Sequence, residues 1–403
     1  MRIGQFIESV GVKAGGTSTA FLNMLAALRT GAGLSVHAYA HTPDAGDPAW
    51  MDIESHRGAW TVVSGYGRAL SPGPLGRAVI ADIESGRIDL LHLHGLWSPD
   101  LLGAAQACRR AGVPFVWEPH GMLARDAFAQ KRWKKEIFLA MGLRRVLRSA
   151  SRLVFVTAEE RDTSVVPSGI GPRRFAVVPL PVQMPASRIN GDFRLAARRR
   201  FGVPEAAPCV VFMGRFHPVK RIEMAMRAVA EASKSLPQTR LLLIGGGDDA
   251  YTHTLRALAA QLGLADRVIF GGWVQGEDKW VALSAGDVLT LNSLHENFGF
   301  VAVEALCVGT APVLTGNLAI AGELAAAGVA RVSDPNDAAL AEALKNALMA
   351  ADPDRTGASG RAWVAEHLSV NAVGRMLADL YTQCAAEQSG RGTVRGQEAG
   401  ALR

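Results

Sequence analysis

Residues 209–220, Cys209-Val210-Val211-Phe212-Met213-Gly214-Arg215-Phe216-His217-Pro218-Val219-Lys220, decide the fold. Five apolar residues without alternation mark a strand buried on both faces, the glycine turns the chain, and a helix is expected from about Lys220. The same succession recurs on either side. Upstream, strands are predicted near Ile3–Ile7, Ser35–Ala40, Leu90–Leu93, Phe115–Glu118, Leu153–Val156 and Ala176–Val178, with helices including Ser18–Leu28 and Pro99–Ala111. Downstream come strands at Arg240–Ile244, Val268–Phe270, Val288–Leu291 and Pro312–Leu314, separated by helices at Thr252–Leu262, near Glu277–Ala285 and at Phe300–Val308. The alternation predicts an α/β chain of two doubly wound parallel sheets, each covered by helices.

Length agrees, since 403 residues exceed what one hydrophobic core organises. The pattern breaks at Pro179-Leu180-Pro181, and a polar, basic stretch from Ser187 to Arg200 follows, so the hinge is placed near Pro181 to Asn190. The expected domains are residues 1–185 and 186–385, with the last helix free to pack back on the first. Residues 386–403 are polar and glycine-rich and are expected to lack fixed structure.

A composition of 49% hydrophobic and 20% charged residues is that of a soluble globular protein, and no apolar run is long enough to span a bilayer. With no secretory layout at the amino terminus, a cytoplasmic location is expected. Cys108, Cys209, Cys307 and Cys384 lie far apart without metal-ligand spacing and are expected as reduced thiols, three of them buried. The net charge of +6 is concentrated between Lys131 and Arg148, where Trp133, Ile137, Phe138 and Met141 recur at helical spacing. Such a helix either turns its apolar stripe to the core or lies on an anionic membrane, and both readings stay open. No nucleic-acid-binding motif accompanies it.

In open parallel sheets, ligands collect beyond the carboxyl ends of strands. Gly214, Arg215 and Lys220 follow such a strand, and a guanidinium and an ammonium there suit a diphosphate, although a helix that merely begins with basic residues would look the same. Ser293-Leu294-His295-Glu296-Asn297-Phe298-Gly299-Phe300 likewise follows a strand and enters a helix carrying Glu304. A carboxylate one turn into an apolar helix needs a partner, either two ribose hydroxyls or a neighbouring Arg. Asn297, Phe298, Gly299 and Phe300 bring bare backbone and a helix amino terminus to the same place.

These segments resemble family 4 of the retaining glycosyltransferases, whose fold, called GT-B, sets two Rossmann-like domains across a cleft. The Glu-x7-Glu signature (Glu296, Glu304) and the Gly214, Arg215, Lys220 segment carry the resemblance. It implies that Glu304 binds the nucleotide ribose, Glu296 contacts the departing sugar, Arg215 and Lys220 hold the diphosphate, and Trp273 and Val274 cup the base. Gly309-Thr310-Ala311-Pro312-Val313 resembles the family's Gly-x-Pro-Val turn with one extra residue. In the first domain, Gly15 and Gly16 match the family's glycine loop and His120 its histidine by the transferred sugar, while His92 and His94 are structural or acceptor-facing. Where relatives have Pro-Asn-Gly at the hinge, this chain has Pro179-Leu180-Pro181.

The resemblance implies a retaining, nucleotide-sugar-dependent hexosyltransferase whose donor needs no metal or other cofactor. The acceptor is expected to be a bacterial surface polysaccharide or lipid-linked oligosaccharide precursor, met at the inner face of the membrane. A sugar-nucleotide epimerase of this architecture and a non-catalytic sugar-nucleotide-binding protein are the alternatives. A dinucleotide oxidoreductase is disfavoured, because Gly65-Tyr66-Gly67 and Gly245-Gly246-Gly247 lack the fingerprint spacing. Asp352-Pro353-Asp354 resembles a metal-binding Asp-x-Asp pair but falls between two helices and is read as a connection.

Overall fold

A computed structural model describes residues 1–11, 15–31, 34–65, 71–186 and 189–400, side chains from 389 onward excepted. Tyr66 and Gly67 lie outside the described residues. The chain forms two compact units, Met1–Pro181 with Leu368–Arg403, and Val182–His367. The division falls at the proline-rich break, where Leu180 and Val182 are buried and Asn23 Nδ2 donates to Pro181 O at 2.9 Å.

The first unit holds β1 (Arg2–Ser9), β2 (Ser35–His41), β3 (Trp60–Val63), β4 (Leu90–His94), β5 (Phe115–Glu118), β6 (Arg152–Phe155) and β7 (Phe175–Val177). They pair in parallel in the order β3-β2-β1-β4-β5-β6-β7. The second holds β8 (Cys209–Met213), β9 (Arg240–Ile244), β10 (Val268–Gly272), β11 (Val288–Leu291), β12 (Ala311–Thr315) and β13 (Arg331–Ser333), in the order β10-β9-β8-β11-β12-β13. Both are doubly wound sheets whose strand order reverses once, between β1 and β4 and between β8 and β11. Short edge strands β3 and β13 add to the expected set; they are only four and three residues long, and apart from buried Trp60 they are half-buried or exposed.

Helix ends follow local chemistry. Ser98 accepts from Asp100 N and Leu101 N, Pro99 opens the Pro99–Ala111 helix, and Gly112 closes it at φ 72°. Asn190 and Gly202 bracket Gly191–Phe201 in the same way.

Five expectations need correction. The chain after 386 continues as helix, because the Val370–Gly400 helix is anchored in the first unit by buried Val373, Leu377, Tyr381 and Cys384. Extending an anchored helix is far easier than starting one, and Arg152 holds Glu387 while Gln388 Nε2 donates to Gly112 O. Lys220 sits in a 3-10 turn, Pro218–Lys220, and the α-helix begins at Ile222 after Arg221 at φ 51°. All four cysteines are buried thiols, and burial pushes Cys384 up to about 11. The basic segment is two short helices, Arg132–Phe138 and Arg144–Leu147, joined by a π turn with Gly142 at φ 128°. That break turns Leu139, Leu143, Val146 and Leu147 to the core and leaves Trp133, Ile137 and Met141 at 65, 52 and 44% exposure, so the core-facing reading fails for those three.

Candidate active site

At the reversal point of the second sheet, the loops leaving β8 and β11 are tied together. Leu294 N donates to Val219 O at 2.8 Å, and Asn292 Nδ2 donates to Arg221 O at 2.7 Å. The β8 loop is pressed onto the turn after β9, where Phe216 N donates to Gly246 O. A Cβ on Gly245 would lie 1.9 Å from Gly214 O and one on Gly247 2.1 Å from Phe216 O, so these glycines serve backbone contact.

This tethering brings Lys220 Nζ to 2.5 Å from Glu296 Oε2, with Ser293 Oγ 3.3 Å from the same oxygen. Arg215 is exposed and makes no hydrogen bond or ion pair among the described residues. Gly299, at φ 77°, starts the Phe300–Val308 helix without a side-chain cap, and Phe298 packs edge-on against Phe300 at 5.1 Å. Uncapped amides at a helix start attract an anion.

Glu304 is 8% exposed, and its partner is Lys279, whose Nζ lies 2.7 Å from Oε1 and over the Trp280 ring at 4.3 Å. A lysine thus takes the place of the expected neighbouring Arg, and nothing local in the sequence announces it, because it stands on a different helix, Asp278–Ser284. Trp273, 54% exposed, and Val274 follow β10. The extra residue Thr310 is structural, its buried hydroxyl donating to Leu283 O at 2.7 Å. Asp352 Oδ1 accepts from Arg355 N at 3.0 Å and so caps the Pro353–His367 helix.

In the first unit, Gly15 (φ 64°) and Gly16 begin the Gly16–Gly31 helix after β1, with open space where a Cβ would stand. His92, His94 and Glu118 are fully buried at the ends of β4 and β5. His120 has φ 51° and a side chain only 3% exposed, although the residue as a whole is half-buried, so its backbone is the part turned outward. The turn is held by Glu160, whose carboxylate accepts from Gly121 N at 2.5 Å and Val156 N at 2.7 Å. Burial pushes Glu160 up to about 7. Thr157, which accepts from Glu160 N, makes Thr-x-x-Glu a capping-box pattern that would have flagged this residue.

Residues 193–362 match the family described as glycosyl transferases group 1, and residues 15–181 a glycosyl transferase 4-like domain. A D-inositol 3-phosphate glycosyltransferase of Streptomyces avermitilis is 33% identical over 324 residues, which are 77% of this chain and 68% of that protein. The chain belongs to the group 1 glycosyltransferases. The Streptomyces scabiei enzyme of the same name is 34% identical over 242 residues, and there the match spans about half of the relative, 53%. Among solved structures, Anabaena HepE in complex with UDP has a TM-score of 0.76 at 18% identity, covering 95% of this chain and 100% of that one. Sucrose-phosphate synthase from Thermosynechococcus elongatus has a TM-score of 0.71 at 22% identity, covering 96% and 100%. This glycosyltransferase therefore has the GT-B fold.

Within its second unit, the glycosyltransferase gathers Gly214, Lys220, Glu296, Asn297, Phe298, Gly299 and Phe300 at one sheet end, with Glu304 on the helix that leaves it. Removing Lys279 would strand a nearly buried carboxylate. Lys279→Ala is expected to lower the unfolding temperature by a few degrees, the scale of roughly 1–3 kcal/mol for an unsatisfied buried group. The double change Lys279→Ala with Glu304→Gln should recover most of it, as measured by calorimetry; an equal loss in both would show that the pair bears no load.

Proposed function

We propose that this glycosyltransferase moves a hexose-type sugar from a nucleoside diphosphate sugar, with retention, to a saccharide or lipid-linked acceptor of bacterial surface polysaccharide assembly. The observation that carries the reading is the convergence, at one sheet end, of the Lys220–Glu296 pair, exposed Arg215 and the uncapped Phe300–Val308 helix start. A diphosphate would take charge from Arg215, Lys220 and the helix amides, and Lys220, already oriented by Glu296, would meet the charge that grows as the bond to the sugar breaks. Glu304 would turn a carboxylate oxygen to the ribose, Trp273 and Val274 would flank the base, and Glu296 would contact the sugar. The first unit would take the acceptor, with Gly15, Gly16 and His120 toward the transferred sugar. The name of the relatives, D-inositol 3-phosphate glycosyltransferase, and the UDP and glucose bound by HepE are consistent with a nucleotide-sugar donor and a polyol or sugar acceptor.

No metal is needed in this scheme, because two cations and a helix start already neutralise the leaving diphosphate, and Asp352 is engaged in capping a helix. Lys220→Ala should lower kcat on the order of a hundredfold with a smaller change in KM, while wild-type transfer persists in excess EDTA. An effect confined to KM, or activity abolished by chelation and restored by magnesium or manganese, would overturn the scheme.

Exposure of Trp133, Ile137 and Met141 among Lys131, Arg132 and Lys134 supports peripheral contact with an anionic membrane on the cytoplasmic side. Among the described residues no helix is long and apolar enough to cross a membrane. The wild-type protein should cosediment with anionic vesicles at low salt, and Gln at 131, 132, 134 and 135 should abolish this without changing hydrolysis of soluble donor. Wild-type protein that never sediments would refute the contact.

A further inference from the structure

The first sheet buries a polar ring that the transfer scheme leaves unexplained. Its members are Gln5 on β1, His92 and His94 on β4, Glu118 on β5, His120, and Tyr381 on the final helix. Hydrogen-bond direction, assigned from the network, fixes where the protons sit. Gln5 Nε2 donates to the Tyr381 hydroxyl at 2.9 Å, so Gln5 Oε1 is the atom that faces His94 Nε2 at 2.7 Å, and that nitrogen carries a proton. His94 Nδ1 is then a lone pair and accepts from His120 Nε2 at 3.0 Å, which leaves His120 Nδ1 bare. The Tyr381 oxygen already accepts from Gln5, and among the described residues His92 Nδ1, at 2.7 Å, is the one acceptor left for its hydroxyl proton, so Tyr381 is assigned as the donor and the proton of His92 to Nε2.

The two nitrogens turned toward Glu118 are therefore unlike. His92 Nε2, a donor, lies 3.4 Å from Oε2, and His120 Nδ1, an acceptor, lies 3.2 Å from Oε1. A carboxylate cannot satisfy both; a carboxylic acid can, by accepting at one oxygen and donating from the other. Both contacts are within reach but poorly aligned, and neither Glu118 oxygen has a regular hydrogen-bond partner among the described residues, so an ionised group here would stand fully buried with His92 Nε2 as its one, misaligned donor and a lone pair facing its other oxygen.

We propose that Glu118 is kept as the neutral acid, donating from Oε1 to His120 Nδ1 while Oε2 accepts from His92 Nε2, and that it is thereby the positioning residue for His120. This rests on the reading that His120 belongs to the transfer site. Closing the ring locks the imidazole in its Nε2–H form beneath a backbone held at φ 51°, the part of His120 that faces outward. Burial pushes the Glu118 carboxyl up and the His92, His94 and His120 imidazoles down, which favours the neutral form of every member. The titratable groups packed against it are those three histidines, Tyr381, and Glu160 from the Ala158–Thr163 helix, which is occupied by Gly121 N and Val156 N. His92, His94 and Glu118 place ligand atoms within 4.8 Å of one another, as a divalent cation would require. The Tyr381 hydroxyl opposes that reading, because it leaves the proton on the very nitrogen, His92 Nε2, that would have to ligate.

The full chain labelled with nitrogen-15 in histidine tests this, alongside kcat as a function of pH and elemental analysis. Glu118→Gln can donate to His120 and accept from His92, whereas Glu118→Ala can do neither. The expected results are metal-free wild-type protein, His120 in the Nε2–H tautomer, and the same tautomer in Glu118→Gln. Glu118→Ala should lose kcat on the order of tenfold, the scale of one buried hydrogen bond, and Glu118→Gln should rescue it. Ionisation of Glu118 removes its donor, so wild-type kcat should fall on the alkaline side, and Glu118→Gln should lack that fall. A doubly protonated His120, stoichiometric metal, or Glu118→Gln as damaging as Glu118→Ala would overturn the proposal. If Glu118→Ala does not fold, the wild-type and Gln spectra decide alone. Tautomers as expected with kcat unmoved would sink instead the placement of His120 at the transfer site.

Discussion

A parallel sheet whose strand order reverses cannot cover its own carboxyl end at the point of reversal, because the connections from the two central strands leave toward opposite faces. In the second unit that point lies between β8 and β11. What the chain places there is a pair of loops laced by Leu294 N to Val219 O and Asn292 Nδ2 to Arg221 O. The lacing fixes Lys220 against Glu296 and leaves the Phe300–Val308 helix open at its start. Glycines at 245 and 247 are what allow the neighbouring loops to touch through backbone.

The two units handle polar groups in opposite ways. In the second, charged side chains pair where they are largely but not fully buried, Lys220 with Glu296 and Lys279 with Glu304, so that a phosphate or a hydroxyl could compete for the same hydrogen bonds. In the first, the polar groups at the ends of β4 and β5 are sealed, and satisfaction comes from proton placement within a ring that reaches from Gln5 to Tyr381. Sealing makes the ring a device for shape: it holds His120 and Gly121 in left-handed backbone with Glu160 bracing from the other side. The last helix takes part in this through Tyr381, so the return of the chain to the first unit contributes to the same turn.

Much of this was legible in the sequence. Strands buried on both faces read as apolar runs, and Gly214, Arg215, Lys220 and Glu296 could be found because each follows such a run. Edge strands β3 and β13 escaped because they are short and partly exposed. Lys279 escaped because its pairing with Glu304 crosses 25 residues between two helices and leaves no periodic trace. Glu118 was read as a strand end, and its connection to Tyr381 through His92 depends on the last helix returning to the first sheet, which no local pattern encodes. The tail after 386 misled because its composition is that of a solvated segment, whereas its helix is set by apolar anchors upstream.

The central claim is that the reversal point of the second sheet is the seat of the sugar nucleotide. A crystal structure of the full chain with a nucleoside diphosphate tests it most directly. The account predicts the diphosphate against Arg215, Lys220 and the amides at Gly299 and Phe300, with the ribose on Glu304 and the Lys279 contact shared or released. A nucleotide bound elsewhere with the Lys220–Glu296 and Lys279–Glu304 pairs untouched would contradict it.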